Sequence, residues 1–138
     1  MIKIRIPDSI SAMVYNMKHP YLWTLMVWAI AAIGYTLMVS KSEQLIPLAF
    51  ASCACISFVG CMPLIKGEHN TLHWVFGITG CVLSQLWCIL VAGICPLLIW
   101  WWLWCVLVTI LICIQQARTW CFWLEIWCMV AVTGTSVL

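Results

Sequence analysis

One acid, Glu125, interrupts an apolar run that begins Trp120-Cys121-Phe122-Trp123-Leu124 and continues Ile126-Trp127-Cys128. It lies five residues past Trp120, about 8 Å along a helix at about 1.5 Å per residue. A short carboxylate at that depth does not reach water easily, and an ionisable residue inside an apolar helix is a functional candidate by default. Depth matching puts Ser57, Thr79 and Thr109 at its level and Gln85 near the midplane. Their polar groups are expected partners for a protonated carboxyl, the form that removal from water favours. His73 and Arg118 are alternative partners for the charged form. The plainer reading is an interfacial glutamate beside Trp120 and Trp123 that snorkels or caps.

The second cluster is Glu68-His69-Asn70-Thr71-Leu72-His73. His69 and His73 share a helix face at i, i+4, a spacing that can hold Zn²⁺, although a complete site needs a third protein ligand. The glutamate precedes the first histidine, so the order is not that of H-E-x-x-H enzymes. The plainer reading is a solvated loop with Asn70 or Thr71 as the cap. Glu68, His69, His73 and Arg118 thus form an interfacial polar cluster with a weak metal option at the two histidines. No cofactor is expected.

The 10 cysteines sit almost entirely within apolar runs, and no Cys-x-x-Cys redox motif is present. Ala49, Cys53, Ser57 and Cys61 form one stripe of small residues. Gly77, Cys81, Ser84 and Cys88 form a second, and Cys105, Thr109 and Cys113 a third. Small residues let helix backbones approach closely. Packing without disulfides is therefore the expectation. Trp28, Trp87 and Trp127 lie deeper than an interfacial belt requires and are candidate walls for an aromatic or cationic guest, with ordinary packing as the plainer reading.

These residues must be positioned by apolar elements. Of 138 residues, 66% are hydrophobic, 7% charged and 13% aromatic, including 11 Trp. Soluble domains carry about 45–50% apolar and about 25% charged residues. A soluble enzyme, a disordered chain and a collagen are all excluded. With net charge +2 and no basic run, a nucleic-acid partner is not expected. The expected fold is an all-α polytopic membrane bundle whose first partner is the lipid bilayer.

About 20 apolar residues make a spanning helix. Five runs qualify: 21–39, 45–65, 74–95, 96–114 and 120–138. They form one transmembrane domain over 21–138. Polar breaks separate them, except that Ala92-Gly93-Ile94-Cys95-Pro96 reads as an uncharged hairpin. No repeat is visible. A cleavable leader is not expected, since the first apolar run starts at Tyr21 and is long enough to span. Neither a myristoylation glycine nor a prenylation cysteine is present.

Residues 1–20 form a separate cytoplasmic segment. Ile10, Met13, Val14 and Met17 have the spacing of one helical face, so a short amphipathic helix in the membrane interface is expected. Lys3, Arg5, Lys18, Lys66 and Arg118 fall on one side of a five-span chain, against Lys41 on the other. The positive-inside rule then puts the N-terminus in the cytoplasm and the C-terminus outside. Trp23, Trp74 and Trp120 mark the inner boundary, and Trp100, Trp101, Trp102 and Trp104 the outer one. A bacterial cytoplasmic membrane is the expected location.

Three functions are compatible with these residues. The first is an accessory, scaffold or assembly subunit acting through helix packing, with itself or another membrane protein as partner. The second is a small oligomeric proton-coupled transporter using Glu125. In size and in its lone intramembrane glutamate the chain resembles, in outline, the small multidrug resistance transporters. Their carboxylate lies in the first span, whereas Glu125 lies in the last, and the span count differs. The third is a membrane-embedded metal-dependent enzyme using Glu68, His69 and His73.

Overall fold

The computed structural model describes residues 10, 14, 18–62, 70–93, 96–115 and 119–138. Five helices follow in order: α1 Pro20–Lys41, α2 Ile46–Cys61, α3 Asn70–Ala92, α4 Pro96–Gln115 and α5 Trp120–Val137. Among the described residues there is no strand. Pro20 and Pro47 open α1 and α2, where a missing N–H costs nothing because the first turn has no partner for it. Lys41 closes α1, setting its positive charge against the negative end of the helix dipole. A 3-10 turn, Glu43–Leu45, then leads into α2.

The expected breaks fall where polar residues interrupt the apolar runs. α3 differs in starting at Asn70 rather than Trp74. Hydropathy marks where the apolar stretch begins, whereas backbone hydrogen bonding carries the helix one turn further into the polar segment. His73 is therefore helical. α3 ends at Ala92 with Gly93 N–H donating back to Ile89 C=O at 2.9 Å, and α4 starts at Pro96; Ile94 and Cys95 of the expected hairpin lie outside the described residues.

Helix α2 packs between α1 and α3, and α5 closes the ring by touching both α1 and α3. α4 lies outside that ring against α5 and α3. The core has two parts. Met38, Ala49, Trp87, Cys88, Val91 and Ala131 belong to the larger one, at the end where α1 and α3 finish. Val14, Trp23 and Val27 form the smaller one, with Ile10 and Ile56 packed on it. Trp87 is 0% exposed and Trp23 2%.

Glycines set the closest approaches. A Cβ at Gly60 would meet Val27 at 2.9 Å, and one at Gly80 would meet Ile56 at 2.8 Å. The carbonyls of the same glycines are used: Thr24 Oγ1 donates to Gly60 C=O at 2.7 Å and Ser52 Oγ to Gly80 C=O at 3.0 Å. Such interhelical bonds are worth about 0.6 kcal/mol each on average in a membrane bundle. The outward faces are apolar: Leu25, Ile33, Phe50, Phe58, Val82 and Leu107 are all exposed. Contiguous surfaces of this kind mark contact with lipid or with another protein. α1, α3 and the 3-10 turn with α2 are each long and apolar enough to cross a membrane.

The N-terminal segment departs from the expectation of an interfacial helix facing lipid. Residues 1–9, 11–13 and 15–17, Met13 and Met17 of the expected face among them, lie outside the described residues, but Ile10 and Val14 are placed. Val14 is 6% exposed and sits on Trp23 and Val27. Ile10 and Val14 thus meet protein, because the end of the bundle beside α1 offers large side chains.

Candidate functional site

Glu125 occupies the second turn of α5 and is half-buried. Its Oε2 accepts the backbone N–H of Ile10 at 2.7 Å, across 115 positions of sequence. Its Oε1 accepts the thiol of Cys121, one turn earlier on the same helix, at 3.7 Å. The carboxylate is thus clamped between its own helix and the N-terminal segment. Ile10 leads directly to Val14 in the smaller core, so one hydrogen bond and one apolar contact hold the same stretch of chain.

The side chains expected around Glu125 are engaged elsewhere. Ser57 Oγ donates to Cys53 C=O at 2.9 Å and Thr109 Oγ1 to Cys105 C=O at 2.8 Å. A hydroxyl within a helix has a carbonyl one turn back always in reach, which is the cheapest partner available. Thr79 is exposed on the outer surface of α3. Gln85 Oε1 accepts the indole N–H of Trp102 at 3.1 Å. None of the four bonds to Glu125, and equal depth in neighbouring spans does not bring side chains face to face.

Glu68, His69 and Arg118 lie outside the described residues, so the interfacial cluster is represented by His73 alone, half-buried in the first turn of α3. Among the described residues no group of three or more His, Cys, Asp or Glu is arranged to hold a metal ion.

Among the described residues, which include nine of the cysteines, there is no disulfide. Cys88 and Cys105 are buried in the larger core, where they act as small packing residues. Cys81 and Cys128 are neighbours across the α3–α5 seam. That contact was not legible from spacing, because the two residues belong to helices far apart in sequence.

The three deep tryptophans part company. Trp87 is packed in the larger core, and Trp28 is exposed on α1 with its indole N–H on Ser57 C=O at 3.2 Å. Trp127 stands edge-on to Trp104, with ring centroids 5.8 Å apart. They do not share a cavity wall. The tryptophans expected at the outer boundary also divide. Trp100 and Trp104 are exposed, as a belt requires, whereas Trp101 and Trp102 turn inward. Trp101 donates to Ala131 C=O at 3.3 Å and its ring covers Gly134.

The geometry defines an all-α helical bundle with the outward apolar faces of a membrane protein. No protein-family model, curated protein or solved structure matches the chain.

Proposed function

We propose that this is a small integral membrane protein that acts through helix packing, as an accessory, scaffold or assembly subunit. Its partner is another membrane protein or further copies of the same chain. The observation that carries this reading is the use made of Glu125. A proton-coupled carrier needs its carboxylate turned toward a shared polar path, whereas this one holds Ile10 and Cys121. Its role is to fasten the N-terminal segment to the bundle.

Five crossings are the natural arrangement. The Ile10–Glu125 bond joins the segment before α1 to the start of α5, which supports an even number of crossings between them. Four alternating helices satisfy that. With five of the six basic residues on the Ile10 side, the same rule that sorts short loops directs this end to the cytoplasm, and a bacterial cytoplasmic membrane suits such short loops. Protease digestion of sealed inside-out vesicles is expected to remove an N-terminal tag and leave a C-terminal one. Removal of the C-terminal tag alone would reverse the orientation.

The packing role predicts association. Extracted in mild detergent, the protein is expected to appear in native mass spectrometry above the 15.7 kDa of one chain, as a homo-oligomer or a complex. A single 15.7 kDa species, under conditions that preserve known membrane complexes, would contradict it.

A further inference from the structure

Cys81 and Cys88 are seven residues apart on α3, and Cys121 and Cys128 are seven apart on α5. Seven residues return to the same helix face to within about 20°. The two helices touch, and in a five-span chain they cross in the same direction, so this spacing keeps both pairs of thiols along one seam. The four are not equivalent. Cys88 is 0% exposed in the larger core, and the Cys121 thiol is bonded to Glu125. Cys81 and Cys128 are both half-buried and are neighbours across the seam. Cys128 also lines the open groove of about 250 Å³ between α3, α4 and α5, so a small apolar reagent dissolved in the bilayer has a route to it.

We propose that Cys81 and Cys128 form a redox modification site, closing to a disulfide when an organic hydroperoxide reaches the groove from the bilayer. Cys128 Sγ attacks the outer oxygen of the hydroperoxide and the O–O bond breaks. The thiol proton passes to the departing alkoxide, which leaves as the alcohol, and Cys128 becomes a sulfenic acid. Cys81 Sγ then attacks the Cys128 sulfur, as a sulfenic acid and a nearby thiol condense. The S–O bond breaks, and the hydroxide leaves with the Cys81 proton as water. The two thiols have lost two electrons and the hydroperoxide has gained them. The new bond ties α5 to α3, and a dithiol reverses it by exchange. Glu125 takes no part, so the site stands whether or not the packing role is right.

The test uses the full-length protein in nanodiscs of a fully saturated lipid, which forms no hydroperoxide of its own. Cumene hydroperoxide is added, the remaining thiols are blocked with N-ethylmaleimide, and a non-reducing chymotryptic digest is read by mass spectrometry. A peptide pair linked through Cys81 and Cys128 is expected, with two of the 10 thiols lost and both regained after dithiothreitol. Cys81→Ser is expected to abolish the link and to leave a sulfenic acid on Cys128 that dimedone captures. The wild-type map decides the pairing by itself, so the test holds if serine weakens the bundle. Full retention of the thiols, links that join Cys81 to Cys121 or Cys128 to Cys88 instead, or links only between chains would overturn the proposal. So would the absence of a dimedone label on Cys128 in a folded Cys81→Ser variant.

Discussion

Gly134→Val is expected to separate α4 from α5 and to cost about 3 kcal/mol, the upper end of ordinary overpacking. Any Cβ at this position falls within the ring of Trp101. That ring cannot swing away freely. It stacks on Trp104 with centroids 5.8 Å apart, and its indole N–H is bonded to Ala131 of the same helix as Gly134. Gly34→Ala provides the control, because its nearest neighbour, Cys53 Sγ, is 4.0 Å from the added carbon. There the higher helix propensity of alanine, worth up to about 1 kcal/mol, should leave stability unchanged or improved. Unfolding in mixed micelles by increasing dodecyl sulfate checks both variants. Trp101→Leu should restore much of what Gly134→Val removes, since the pair is in direct contact and its effects are non-additive.

Glu125→Ala has the second large effect. It removes the acceptor of the Ile10 amide and leaves that donor unpaired at the edge of the bundle, at a cost of about 1–3 kcal/mol. Val14 loses its tether at the same time, so the smaller core around Trp23 and Val27 opens. Glu125→Gln keeps an oxygen for Ile10 and is expected to remain close to wild type in stability. Proteolysis of the N-terminal segment should follow the same order, fast in the alanine variant and slow in the other two.

The helices themselves were legible because a run of about 20 apolar residues has few alternatives, and charged or turn-forming residues break those runs cleanly. Which faces meet was not. When lipid and protein interior are both apolar, a side chain such as Leu25 on the outside differs little in type from Val27 on the inside. Stripes of Ala, Cys and Ser spaced by four residues suggested the contacts, yet the tightest approaches use Gly60, Gly80 and Gly134. An interior helical glycine that forgoes alanine's propensity usually has a packing reason, and that signal marks all three. Glu125 stood out as unusual, but its partner did not. Ile10 contributes a backbone N–H, a group every residue carries, so no side-chain pattern points to it. Of the apolar face expected at the N-terminus, Ile10 and Val14 are among the described residues. What the sequence could not say is that Trp23, Val27 and Ile56 offer these two residues a protein surface.

The central claim is that Glu125 fastens the N-terminal segment rather than serving a transport path. Hydrogen exchange at the Ile10 amide, followed by NMR on the protein in nanodiscs, tests it most directly. Protection in wild type, partly kept in Glu125→Gln and lost in Glu125→Ala, is the predicted result. Exchange at the rate of an unstructured peptide in wild type, or protection indifferent to Glu125→Ala, would contradict it.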